Sequence, residues 1–429
     1  MKLAFVSLPF VGHLHPMTAL ARKMRSRGHE VAFIGIPDIE STIRAAGLTF
    51  IAYCENEFPV GSLDKYLAPI SKLHGLAAVR NTNLHLTPDL AKAAFEHLPQ
   101  LIKEIGVEAI VMDTLHRFLE LVPMRLNIPC VHIWNTLPID GTGTTPACIY
   151  DWPHEDTPEA RIRNLEGLKK LSGIASPSLD LAKAYAERTG LQIDWTNPAT
   201  AVPKLAVIAQ TPEEFDFPRI PWPPQFHYAG PFHESERHPP IPFPWEKLTG
   251  KPLIYASLGT LVNGLESIYK VILEAVARLT DVQAVLSVGA NIDPGRLEPI
   301  PANTIIVRRA PQIELLKRAA LCITHAGLNT TLESLAQGVP MVAIPIAYDQ
   351  PGISARIAHH GVGEFIELDN LSVRNLSDLI RKVLTNRTYA DRAQYFKEVI
   401  AKTRGLDSAA DVIERVLQKQ STASLSKTA

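Results

Sequence analysis

Short apolar runs alternate with amphipathic ones along this chain, and that rhythm admits few folds. Residues 2–8, 30–35, 109–112, 130–133 and 204–209 read as strands. Residues 15–27 read as a helix through the spacing of Met17, Leu20, Ala21 and Met24, with Gly28 ending it, and residues 90–105 read as another. Units of this kind build a parallel sheet with helices on its faces. From Phe215 to Trp245 the rhythm stops. Pro218, Pro221, Pro223 and Pro224 are followed by Pro239, Pro240, Pro242 and Pro244. Proline locks φ and removes a donor, so this stretch cannot be helix and makes a poor central strand. Beyond it the rhythm restarts, with strands at 253–257, 283–287, 304–307, 321–324 and 341–344. Helices are expected at 265–279, 313–319 and 329–337. The expected fold is α/β: a domain over 1–232, a Pro-rich linker over 233–250 and a second parallel-sheet domain over 251–388. A Ser/Lys/Thr/Ala-rich tail at 419–429 reads as disordered. Residues 59–88 and 135–196 interrupt the first domain's rhythm, and such insertions commonly carry specificity.

Composition narrows the function. The 429 residues hold 43 Lys+Arg and 44 Asp+Glu, a formal net charge of -1. That excludes a globally basic nucleic-acid binder. Cys54, Cys130, Cys148 and Cys322 lie far apart with no CxxC pair, which argues against a zinc site or a disulfide scaffold and for a reducing compartment. Apolar runs are interrupted well before the roughly 20 residues a spanning helix needs. The N-terminus lacks a signal peptide's long apolar region, so a cytoplasmic location is expected. Contact with a membrane surface is compatible with the sequence, which leaves oligomeric state open.

In open α/β sheets ligands sit beyond the carboxyl ends of the strands, so the residues there matter most. The first strand is followed by Gly12-His13-Leu14-His15-Pro16, with Pro16 suited to a first helical turn. His13 would stand at the lip of the cleft as a general base or as a helix cap. Asp113 follows another strand of the same sheet. It would either cap the next helix or hold the Nδ1 of a histidine base. In the second domain Ser257, Gly259 and Thr260 end its first strand. Arg309-Ala310-Pro311-Gln312, then Thr324 through Glu333, then Gly338-Val339-Pro340-Met341, then Asp349-Gln350 end or follow later ones. His325 and Gly327 lead into a helix N-terminus, which favours an anion through free amides and the helix dipole. Glu333 could accept both hydroxyls of a ribose, and Asp349 and Gln350 suit sugar hydroxyls. The chain has no GxGxxG after a strand and no GxxxxGK[ST], so neither a dinucleotide fingerprint nor a P-loop is claimed.

The run from Arg309 to Gln350 resembles the signature box of the family 1 UDP-glycosyltransferases, which have the GT-B fold: two Rossmann-like parallel-sheet domains facing across a cleft. The matching pieces are APQ at 310–312, THAGLNTTLE at 324–333, GVPM at 338–341 and DQ at 349–350. GHLHP at 12–16 and Asp113 match the family's catalytic His and Asp, and the form of residues 349–357 is similar to bacterial macrolide and carotenoid glycosyltransferases. The resemblance implies an inverting, metal-independent hexosyltransferase with no cofactor beyond its nucleotide-sugar co-substrate. His13 would deprotonate the acceptor hydroxyl and Asp113 would balance the charge. His325, Gly327, Asn329 and Thr330 would hold the diphosphate, with Thr260 on the other side, and Gly12, Ser257, Gly259 and Leu328 would also belong to the donor site. Gln312 and the Ala310 backbone would read uracil, Glu333 would bind ribose, and Asp349 and Gln350 the sugar, with UDP-glucose favoured as donor. Residues 389–418 would form helices crossing back to the first domain.

Two departures stand out. Arg309 occupies the place of a uracil-stacking Trp, and Leu328 that of a Trp before the Asn. The expected acceptor is a small lipophilic or phenolic molecule, with Phe10, Phe58, Phe118, Trp134 and Trp195 as candidates to line its pocket. The competing readings are a sugar-nucleotide epimerase or hydrolase of the same architecture, and a non-catalytic nucleotide-sugar-binding protein.

Overall fold

The computed structural model describes residues 1–196, 202–234 and 241–428. Two fully parallel sheets carry the architecture. The first runs β3-β2-β1-β4-β5-β6-β7, from β1 (Lys2–Val6), β2 (Glu30–Gly35), β3 (Thr49–Ala52), β4 (Ala109–Asp113), β5 (Cys130–Trp134), β6 (Val207–Ala209) and β7 (Phe226–Tyr228). The second runs β10-β9-β8-β11-β12-β13, from β8 (Leu253–Ser257), β9 (Gln283–Ser287), β10 (Thr304–Val307), β11 (Ala319–Thr324), β12 (Met341–Ala343) and β13 (Gly363–Phe365). In both, the strand order reverses beside the first strand of the domain. That reversal opens the crevice in which such sheets bind ligands.

The central strands are apolar along their whole length because helices cover both faces. Leu3, Ala4, Phe5 and Val6 of β1, and all of β4 and β8, are buried. Three short strands escape the sequence reading. β3 and β13 lie next to strands that were expected. β7 lies inside the Pro-rich stretch, where its place at the sheet's edge reconciles it with the prolines around it. The linker expected over 233–250 falls partly outside the described residues, at 235–240.

The helix expected from residue 15 begins four residues earlier, as Val11–Ser26. Pro16 therefore sits inside the helix and not in its first turn. The insertions are helical: Asp64–Ile70 and Gly75–Asn81, then Pro158–Ile174 and Ser176–Thr189. They bridge the cleft. Ile70 and Ala78 pack in the second domain's core, and Gly75 N donates to Ile346 O at 2.6 Å.

Of the closing helices, Arg387–Lys402 stays on the second domain against Leu328–Gln337. Leu406–Thr428 crosses back and packs on Val11–Ser26. There Arg27 binds Asp407, Asp411 and Glu414 at 2.8, 2.6 and 2.9 Å. The helix continues to Thr428 where a disordered tail was expected from 419. The side chains of 421–429 lie outside the described residues.

Candidate active site

The register of β1 on β4 pairs Val6 with Met112, which sets the two strand ends side by side. His13, one turn into the helix after β1, meets Asp113, the last residue of β4. Nδ1 lies 2.6 Å from Asp113 Oδ2. Asp113 is fully buried and well supplied with donors: Ser7 Oγ at 3.2 Å and Leu8 N at 3.5 Å on Oδ2, and Leu115 N at 3.0 Å on Oδ1. Burial pushes its carboxyl pKa up. The adjacent His13 charge and hydrogen bond and the Leu115 amide outweigh that and hold it below the ordinary value. For His13, burial pulls downward, but Asp113 prevails, with Asp349 adding a smaller upward push, so the imidazole lies above 6.5. An imidazole whose Nδ1 is held by a carboxylate presents Nε2 to a substrate. It also gains charge stabilisation as it takes a proton. Phe10 packs edge-on to the same ring, centroids 5.7 Å apart.

Across the cleft, β11 delivers His325 to the helix Leu328–Gln337. The His325 ring is held between two glycines. A Cβ on Gly259 or on Gly327 would come 2.5 Å from its Nε2, and Gly259 also takes φ +73. Burial drives His325 down to about 4, so it is neutral, and its Nδ1 has no partner among the described residues. The first intrahelical bond runs from Thr331 N to Gly327 O at 3.0 Å, so the Leu328, Asn329 and Thr330 amides precede the ladder. Those amides, at the positive end of the helix dipole, form an anion-binding end. Ser257 Oγ accepts from Gly259 N at 3.4 Å, and Thr260 is exposed beside it.

Several expected site residues sit otherwise than the sequence suggests. The Gln312 carboxamide, expected at uracil, turns instead toward the expected ribose end. Its Oε1 accepts from Tyr255 OH at 2.8 Å, and its Nε2 donates to Thr330 Oγ1 at 3.2 Å and to Glu333. Glu333 is buried beneath it, and desolvation raises its carboxyl to about 7. Ala310 is buried, while Arg309 is exposed. The Asn329 side chain is spent on the first domain, donating to Gly12 O at 2.8 Å and accepting from Gln210 Nε2 at 3.0 Å. That fixes the orientation of its carboxamide and leaves the backbone amide and one Nδ2 hydrogen for an anion. Gln350 Oε1 accepts from Ile346 N and Ala347 N at 2.8 and 2.9 Å and braces its own loop. Asp349 Oδ2 accepts from Leu137 N at 2.9 Å, and burial raises its carboxyl.

The aromatics divide. Phe58 is 2% exposed in the first domain's core, stacked on Tyr66, so it lines no pocket. Phe118 and Trp195 pack edge-to-face at 6.1 Å on that core's margin. Trp134 ends β5 at the cleft. Next to it, Asn135 is a site residue that sequence reasoning missed. It is 3% exposed, and both side-chain heteroatoms lack a partner among the described residues. Gln210, after β6, is a second. Each is a lone polar residue after a short strand, a position the strand-end rule marks but no motif does.

The two sheets, with an anion-binding helix end facing a His–Asp pair, have the architecture of a GT-B glycosyltransferase. The fold matches the solved glycosyltransferase of kitacinnamycin with a TM-score of 0.72, at 23% identity over 97% of this chain and 98% of that one. It also matches the calicheamicin glycosyltransferase CalG4 with a TM-score of 0.69, at 19% identity over 97% and 98%. Over residues 179–425 the sequence matches the model of the UDP-glucoronosyl and UDP-glucosyl transferase family, and the chain belongs to that family. Among curated relatives, a zeaxanthin glucosyltransferase of Pantoea ananas is 28% identical over 96% of this chain and 95% of its own length. The NDP-glycosyltransferase YjiC of Bacillus subtilis is 26% identical over 97% of each. The protein is a glycosyltransferase enzyme, as the named relatives are. No helix among the described residues is long and apolar enough to cross a membrane.

Proposed function

We propose that the enzyme moves glucose from UDP-glucose to a hydroxyl of a small lipophilic or phenolic acceptor, with inversion at the anomeric carbon. The observation that carries this reading is the His13–Asp113 pair, 2.6 Å apart at the switch point of the first sheet. His13 Nε2 takes the acceptor's proton as its oxygen attacks in line, and buried Asp113 stabilises the imidazolium that forms. A single displacement needs no enzyme nucleophile, and the paired carboxylates of glycoside hydrolysis have no part in it. The charge growing on departing UDP is met by the Leu328, Asn329 and Thr330 amides and by neutral His325, an arrangement that assigns no task to a metal ion. Glu333 takes the ribose hydroxyls once it is ionised. Asp349 and Asn135 face the sugar, Asn135 with both its side-chain amide nitrogen and its oxygen unspent.

A zeaxanthin glucosyltransferase among the relatives supports glucose as the sugar and a lipophilic acceptor. Phe10 and Trp134 are the aromatics placed to meet such an acceptor. The four cysteines are all free, in keeping with work in the cytoplasm. The test is transfer from UDP-glucose to a panel of phenols, flavonoids, sterols and carotenols, read by mass. The reading expects a hexose added to one class. UDP released at the same rate with and without acceptor would point to a hydrolase and overturn it.

A further inference from the structure

One line of hydrogen bonds crosses the cleft beside the base, and each bond in it fixes the next. The Asn135 carbonyl accepts from Gln210 Nε2 at 2.9 Å, so the Gln210 amide must point its NH2 that way. The same Nε2 donates to Asn329 Oδ1 at 3.0 Å. That leaves Asn329 Nδ2 to face the first domain, where it donates to Gly12 O at 2.8 Å. A flipped Asn329 would set NH2 against NH2 at one end and carbonyl against carbonyl at the other. Gln210 is 2% exposed, so water does not replace it cheaply.

The receiving carbonyl is free for a reason written in the sequence. In a regular helix Gly12 O would accept the amide of residue 16. Residue 16 is Pro16, inside the helix Val11–Ser26, and it has no N–H to give. A proline ring also crowds the carbonyl four residues back, here that of Gly12. Gly12 precedes His13, so whatever holds the Gly12 carbonyl holds the first turn that carries the base.

We propose that Gln210 is a positioning residue, which orients Asn329 to clasp the carbonyl that Pro16 leaves open, so that closure of the donor-binding helix onto the first domain sets His13 in place. This rests on the reading of His13 as the base, and it assigns the Asn329 side chain to this latch and not to the diphosphate. The latch spans both domains, so it forms only in the closed arrangement, when the donor helix stands against the base. Acceptor activation and donor engagement are thereby linked in one geometry.

The test is a double-mutant cycle with Gln210→Met, which keeps the shape and removes the donors, and Asn329→Ala. Two readouts are taken. By hydrogen–deuterium exchange, the amides of His13 and Leu14, both bonded to Phe10 O, should exchange faster in each single variant. The double variant should exchange no faster than Asn329→Ala alone. In turnover, kcat should fall about tenfold to a hundredfold, the scale of a misplaced catalytic group, with donor KM within about twofold of wild type. The double variant should again match Asn329→Ala. Gln210→Leu, also apolar and without donors, should behave as Gln210→Met and guards against a folding defect peculiar to the thioether. Unchanged exchange at His13 and Leu14, or kcat losses that multiply in the double variant, would overturn the proposal. The exchange readout needs no acceptor, so it stands even if His13 proves not to be the base. That separate failure would show as His13→Ala retaining transfer.

Discussion

Replacing Asp113 with Asn should slow glycosyl transfer and move its pH dependence in a direction that follows from burial. The substitution keeps the side chain's shape, and its one oxygen can accept on the side of Ser7 Oγ and Leu8 N or on the side of Leu115 N, not on both. What is lost is the negative charge at the imidazolium that forms in the transition state. With charge centres about 4 Å apart and an effective dielectric near 20, that charge is worth about 4 kcal/mol. Lost wholly in the transition state, it corresponds to about a thousandfold in kcat. The pH effect has the opposite sense for the base itself. In the native protein Asp113 overcomes burial and keeps His13 above 6.5, so the active neutral form appears only as pH rises through that raised value. Without the carboxylate, burial is opposed only by the smaller push from Asp349, and the His13 pKa falls. The acid limb of kcat/KM should therefore shift to lower pH while the plateau drops. A stopped assay of sugar transfer from pH 5 to 9 reads both. A plateau within tenfold of wild type, or an acid limb that stays put or rises, would refute the reasoning.

Three further outcomes follow from the same geometry. Arg356 and Asp216 form a buried ion pair at 2.6 Å, each 2% exposed, joining the helix Gln350–His359 to the segment after β6. Asp216→Ala strands the guanidinium and should cost about 3–5 kcal/mol, seen as melting lower by roughly 10 °C by calorimetry. Gly327→Ala places a methyl 2.5 Å from His325 Nε2 and should weaken UDP binding at least about tenfold by titration calorimetry, with melting little changed. Glu333, raised to about 7 by burial, accepts a ribose hydroxyl on each of its two oxygens only when ionised. UDP affinity should therefore fall as pH drops through about 7, and Glu333→Gln should flatten that dependence.

Much of the donor side was legible because its residues are contiguous. Residues 310–312, 324–333 and 349–350 end or follow strands recognisable by their apolar runs, where the strand-end rule applies, whereas 338–341 follows a helix and leads into β12. The proposed catalytic pair was legible only in halves. His13 and Asp113 each announce a strand end, but their meeting depends on the pairing of Val6 with Met112, a register that no local pattern encodes. The start of the first helix misled because Val11 through His15 offers no apolar periodicity and Pro16 suggests a first turn. Side-chain commitments were not legible at all. The Asn329 and Gln312 carboxamides are spent on Gly12, Gln210, Tyr255 and Glu333, partners that come from distant parts of the chain. Phe58 was a candidate for the acceptor pocket because an aromatic in an insertion can face a cleft or a core, and only packing decides.

The most direct test of the central claim is His13→Ala, assayed for hexose transfer by mass and for UDP binding by calorimetry on the same preparation. Transfer abolished with UDP affinity unchanged is the predicted result, since the proposed role of His13 is to take the acceptor's proton and the proposed nucleotide site lies on the other domain. Transfer at the wild-type rate would contradict the account.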